Sequence, residues 1–152
     1  MISKKWDEIF LDLARWASRK SKDTSTKVGA VLVSGEDQRN NVWAFNGFPP
    51  GVEDTPERIA DRETKYKLTI HAERNAMDFA RFDTRGATLY TTQMPCSDCA
   101  KSIISKGITR VVGVAVPPER DHAQFAWRRD AEFAKEILRE AGVEVDEVVA
   151  VP

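Results

Sequence analysis

Cysteine is scarce in this chain, with two in 152 residues, and both belong to one C-x-x-C at Cys96 and Cys99. A disulfide scaffold is thereby excluded, and a reducing, cytoplasmic compartment is the expected location. No apolar run approaches the roughly 18 residues that a membrane helix needs. The N-terminal stretch from Met1 to Asp7 lacks the apolar core of a signal peptide, so no membrane partner is expected. Neither sign of charge dominates. The 23 basic residues against 24 acidic ones, and a pI near 6.2, argue against a surface that coats a large nucleic acid. They leave room for a local basic pocket that takes one phosphate. Internal repeats, low-complexity tracts and Gly/Ser linkers are also missing. With 41% hydrophobic residues, the expectation is one compact domain over residues 1–152 with a core of its own.

What is present alternates between helix and strand. Trp6, Ile9, Phe10, Leu13, Trp16 and Ala17 recur at helical spacing over residues 4–19. Residues 28–33 form a short continuous apolar run, as in a strand buried on both faces. After a polar turn, residues 42–45 read as its hairpin partner. The connection over 48–69 is long for a small domain, and such connections are usually functional; its helical potential is confined to 56–66. Helices are predicted over 71–82, 97–105 and 126–141, the last two stopped by Gly107 and Gly142. Strands are predicted over 87–91, 110–116 and 143–149, the last with the polar alternation of an edge. Strands joined through helices imply crossover connections. The fold class is therefore α/β, a three-layer α/β/α arrangement around a five-stranded mixed sheet whose first two strands are antiparallel.

The chemistry concentrates in His71-Ala72-Glu73 and Pro95-Cys96-Ser97-Asp98-Cys99. One imidazole and two thiols are three good zinc ligands. They leave one of four tetrahedral positions open, the layout of a catalytic rather than a structural zinc site. Helices beginning at residues 71 and 97 would bring both motifs to one mouth of the sheet, at the carboxyl ends of strands where open sheets hold their ligands. A C-x-x-C alone also suits a redox pair or half of a structural zinc site. A structural site would need a fourth ligand, for which His122 is the other histidine, and redox exchange gives no role to His71 and Glu73. Glu73, two residues from the histidine, is the candidate general base and acid. The pattern H-x-E…P-C-x-x-C is the signature of zinc nucleobase deaminases.

On these residues the chain resembles the cytidine/deoxycytidylate deaminase superfamily, and more narrowly the deoxycytidylate (dCMP) deaminases. The resemblance extends over about residues 6–116. Besides the zinc motifs, it is carried by Ser21-Lys22-Asp23-Thr24-Ser25-Thr26-Lys27-Val28-Gly29-Ala30, by Phe45-Asn46-Gly47-Phe48-Pro49-Pro50-Gly51 and by Thr64-Lys65-Tyr66. It implies a cytidine-deaminase-like fold, one catalytic Zn2+ held by His71, Cys96 and Cys99, and Glu73 as the catalytic proton carrier. The implied reaction is hydrolytic deamination of a deoxycytidine nucleotide, dCMP to dUMP, which feeds thymidylate synthesis. Asn46 is implied at the substrate's sugar, Ser21 and Lys22 at its phosphate, and Ala72 and Pro95 beside it within the zinc motifs. The family is often a hexamer regulated by dCTP and dTTP. A homo-oligomer, hexamer or dimer, is thus implied, with Arg58, Arg62 or Lys65 as candidate effector contacts.

Two departures stand out. Val52 occupies the place where some dCMP deaminases carry a cysteine for a second zinc, so no second cysteine-held zinc is expected. Residues 117–125 follow the fourth strand where the family tends to place a tyrosine near the base; another aromatic residue, or a different base preference, would compensate, and His122 is a candidate for the pocket. Rival readings are a deaminase of dCTP, a modified dCMP, guanine or tRNA adenosine, and a non-catalytic zinc or nucleotide-binding protein. A tRNA enzyme should be more basic, and a non-catalytic protein has no use for Glu73.

Overall fold

The computed structural model describes residues 4–122 and 125–149. Helix α1 (Lys4–Ser18) leads into a hairpin of β1 (Gly29–Val33) and β2 (Asn41–Phe45). The long connection holds two short helices, α2 (Pro56–Ala60) and α3 (Arg62–Leu68), capped by the Thr55 and Asp61 side chains. Then follow α4 (Ala72–Phe79), β3 (Thr88–Thr91), α5 (Ser97–Ser105) and β4 (Arg110–Val114). A 3-10 turn at Pro118–Arg120 leads to a two-residue pairing of β5 (Asp121–His122) with β6 (Phe125–Ala126), then α6 (Trp127–Glu140) and β7 (Glu144–Val148). Every expected element is present. Strand β4 ends at Val114, short of the expected 116, because its parallel partner β7 ends at Val148, the residue in register with Val114. Helices α5 and α6 stop at Gly107 and Gly142, both at positive φ.

The five-stranded sheet has the order β2-β1-β3-β4-β7. Strand β1 runs antiparallel to both of its neighbours, while β3, β4 and β7 are parallel. The polar β7 is an edge, as its pattern indicated. Period-two alternation splits the strands between two cores. Leu32, Leu89 and Val111, neighbours in register, pack with α4, α5 and α6. Val31, Tyr90 and Val112 face Phe10, Leu11 and Ala14 of α1.

Two features fix α1 on the sheet. A Cβ at Gly29 would lie 1.8 Å from the Ala14 carbonyl oxygen, so only glycine lets the helix cross β1 there. At the other end, Asp7 accepts from Tyr90 Oη (2.7 Å) and from Arg110 Nη1 and Nη2 (2.8 Å each), and Arg110 also reaches Asp146 on β7. Among the described residues no helix is long and apolar enough to cross a membrane.

Candidate active site

The carboxyl ends of β2, β3 and β4 and the amino end of β1 open at one edge of the sheet, and the zinc motifs sit there. His71 is the residue that caps α4, yet its side chain makes no cap bond; it turns instead toward α5. Its Nδ1 lies 3.5 Å from Cys96 Sγ and 3.4 Å from Cys99 Sγ. Zinc–nitrogen bonds of about 2.0–2.1 Å and zinc–sulfur bonds of about 2.3 Å make a tetrahedral N···S edge of about 3.5 Å. The donors therefore already stand at the spacing that one zinc ion requires, and three donors leave a fourth position free.

Local structure produces this spacing. Cys96 is the N-cap of α5, its sulfur accepting from the Cys99 backbone N–H at 3.4 Å. The next free donor, Ser97 N–H, is met by Asp130 of α6 at 2.8 Å, and Ser97 Oγ donates to the same carboxylate. Helix α6 is thus tied to the thiol-bearing turn. The hydrogen bond with Cys99 and then that with His71 overcome burial and hold the Cys96 thiol down to about 4. The same pairing and burial push Cys99 up. His71 is pushed up to about 9, first by its hydrogen bond with Cys96, against the opposing effect of burial. A cation placed among these groups takes over the proton's role in compensating the thiolate.

Glu73, in the first turn of α4, is 4% exposed. Burial, offset in part by the nearby His71, raises its pKa above the usual carboxylate range. Its Oε1 lies 3.2 Å from Thr91 Oγ1, at the end of β3. Glu73, His71 and Cys96 form one wall of a cavity of about 390 Å3, large enough for a single small ligand. The 56–69 connection also lines it through Ile59, Arg62, Lys65 and Tyr66, as do Arg120 and Trp127, the latter next to His71.

The other expected substrate contacts divide. Asn46 lines the cavity, but its amide also serves the fold: Oδ1 accepts from Val28 N–H and Nδ2 donates to the Thr26 carbonyl, both at 2.9 Å. One N–H and one lone pair remain for a ligand. Ala72 lines the cavity, whereas Pro95 is buried between the lining residues Met94 and Cys96. Ser21 and Lys22 do not line it. Ser21 is buried and donates to the Asn46 carbonyl. Lys22 pairs with Asp54 at 3.0 Å on an adjoining cavity of about 370 Å3, which Phe48 also lines. Lys65 is no surface residue: at 7% exposure its Nζ meets Asp23 (3.2 Å) and Ser25 Oγ (2.8 Å). The His122 side chain lies outside the described residues. Thr91, Arg120 and Trp127 went unnoticed in the sequence, since none belongs to a spaced motif.

Residues 4–115 match the family model described as the cytidine and deoxycytidylate deaminase zinc-binding region. An uncharacterized deaminase in the luxG 3′ region of Aliivibrio fischeri is 38% identical over 147 residues, covering 95% of this chain and 94% of that protein. Deoxycytidylate deaminase of Homo sapiens is 36% identical over 113 residues, 70% of this chain but 63% of the human protein. The dCMP deaminase of cyanophage S-TIM5, solved in complex with dCMP and dUMP, shares the fold with a TM-score of 0.74. It is 22% identical, over 97% of this chain and 100% of that one.

Proposed function

This chain belongs to the cytidine and deoxycytidylate deaminase family, the zinc-dependent deaminases, and from that premise we propose that it deaminates a deoxycytidine nucleotide. The reaction is dCMP + H2O → dUMP + NH3, and its product is the substrate for thymidylate synthesis. The observation that carries this reading is Glu73, a buried carboxyl with a raised pKa beside a three-donor metal site. His71, Cys96 and Cys99 would hold the zinc, which when bound supplies a Lewis acid that makes water reactive near neutral pH.

The proton work falls to Glu73. Its carboxylate takes a proton from the attacking water and places it on N3 as the oxygen adds to C4 of the ring. It then takes the second proton from the new hydroxyl and gives it to the exocyclic amine. The C4–N bond breaks, ammonia leaves, and the oxygen becomes O4 of uracil. A carboxyl that must accept and deliver within one turnover works best with a pKa drawn toward the working pH, which is the direction in which burial moves Glu73. The near-balanced charge supports a single nucleotide rather than folded RNA as the substrate.

The test is ammonia release by the purified zinc-loaded protein from dCMP, dCTP, deoxycytidine, CMP, guanine and tRNA, with zinc content measured in parallel. The expected result is fastest turnover of dCMP. Glu73→Gln should keep its zinc and its fold while kcat falls by about 10³-fold. Absence of dCMP turnover in the wild-type protein, or near-normal turnover in Glu73→Gln, overturns the proposal.

A further inference from the structure

Among the described residues, the cationic side chains that are buried or half-buried each have a carboxylate, with one exception. Lys65 has Asp23 at 3.2 Å, Arg110 has Asp7 at 2.8 Å, and Lys135 has Glu147 at 2.9 Å. Arg120 lines the catalytic cavity, and its Nε is the buried side-chain polar atom without a hydrogen-bond partner among the described residues. Its guanidinium carbon lies 5.5 Å from the centre of the Trp127 ring. That ring in turn lies 6.3 Å from the imidazole of His71. An arginine is therefore stacked beside the metal-binding wall with a buried donor left unmet.

Leaving a buried donor unmet costs free energy that an incoming acceptor recovers. A stacked guanidinium is already oriented, and its planar fork of donors matches the oxygens of a phosphate. The rival cations of the 56–69 connection are less suited. Lys65 is neutralised by Asp23, and Arg62 is exposed with its Nε directed to Tyr66 Oη at 3.1 Å. Ser21 and Lys22 do not line the cavity. We propose that Arg120, supported by Trp127, is the residue that holds the 5′-phosphate of the nucleoside monophosphate in this cavity. The inference rests on the deaminase reading given above and adds the residue that separates nucleotide from nucleoside.

The test measures binding by calorimetry, using the zinc-loaded protein and the product pair dUMP and deoxyuridine, together with inorganic phosphate alone. Wild-type protein should prefer dUMP over deoxyuridine. In Arg120→Gln that affinity ratio should fall about tenfold to a hundredfold, and inorganic phosphate should lose its competition with dUMP. Arg120→Lys, which keeps the charge without the fork, should give an intermediate ratio and guards against a variant that fails to fold. An unchanged ratio in both variants overturns the inference while leaving the deaminase reading intact, provided the wild-type protein still converts dCMP. An equal loss for dUMP and deoxyuridine also overturns it, since Arg120 would then serve the base or the loop. Absence of dCMP turnover in the wild-type protein overturns the deaminase reading itself.

Discussion

Thr91 Oγ1 lies 3.2 Å from Glu73 Oε1 and 2.8 Å from the backbone carbonyl of Gln93. A hydroxyl has one proton and two lone pairs, so it cannot donate to both oxygens at once. When Glu73 is ionised, Thr91 donates to it; when Glu73 carries a proton, Thr91 accepts that proton's hydrogen bond and donates to Gln93. The hydroxyl can thus follow the carboxyl through both charge states without moving a heavy atom. Thr91→Val should lower kcat on dCMP by about tenfold with little change in KM, and should shift the pH profile of kcat. Thr91→Ser should restore most of the loss. A profile unchanged in Thr91→Val would show that the residue only fills space.

Removal of the metal should destabilise the fold as well as stop turnover. Without a cation, Cys96, Cys99, His71 and Glu73 crowd four titratable groups into a largely buried space. A ligand present at a hundred times its dissociation constant adds about 2.7 kcal/mol of stability, which for a chain of this size is about 5–10 °C in thermal midpoint. Differential scanning calorimetry before and after chelation should show a drop of that order, reversed by zinc. Cys96→Ser and His71→Ala should start at the lower midpoint and respond little to zinc.

How much of this could be read in the chain depends on distance along it. The strands and helices were legible because their apolar periods are local: the run at 28–33 is a fully buried strand and the alternating 143–149 segment is an edge. The metal donors were legible because C-x-x-C and H-x-E fix their geometry within single turns. Lys65 was not, because its partner Asp23 is 42 residues away and nothing in Thr64-Lys65-Tyr66 marks burial. Arg120 and Trp127 depend on how α6 docks through Asp130 onto α5, which is a tertiary fact. Ser21 lies off the cavity for a similar reason: the residue type suits phosphate, but the fold aims the hydroxyl at the Asn46 carbonyl.

The Asp23–Lys65 pair gives the stability a defined acid limb. Burial pulls the Asp23 pKa up, but hydrogen bonds from Thr26 and Ser25 and from Lys65 outweigh it and leave the carboxyl below its ordinary 3.8. A carboxyl depressed in the fold stabilises it above the unfolded pKa, and that stabilisation is lost as pH falls through the folded value. Asp23→Asn should therefore be less stable than wild type at pH 7, with the gap closing as pH falls below the ordinary 3.8. Urea midpoints at pH 7, 5 and 3 test the sign. A gap that widens on acidification contradicts the assignment.

Gly29 should be the least replaceable glycine in the fold. An added Cβ there meets the Ala14 carbonyl oxygen at 1.8 Å and the Ser18 nitrogen at 2.7 Å, both main-chain atoms of α1 that no rotamer change can clear. The helix would have to lift from the sheet, opening the core formed by Phe10, Leu11, Val31 and Tyr90. Overpacking of this kind costs about 3 kcal/mol or more, so Gly29→Ala should lower the thermal midpoint by roughly 6–12 °C. Gly51→Ala is the informative comparison. It sits at φ +87 with nothing within 4 Å of an added Cβ, so it meets backbone strain without a clash and should cost about 1 kcal/mol. The damage at position 29 should also reach the site, because Gly29 N–H donates to Thr92 Oγ1 at 3.0 Å, next to Thr91 and its contact with Glu73. If Gly29→Ala melts no lower than Gly51→Ala, the close crossing of α1 over β1 is wrong.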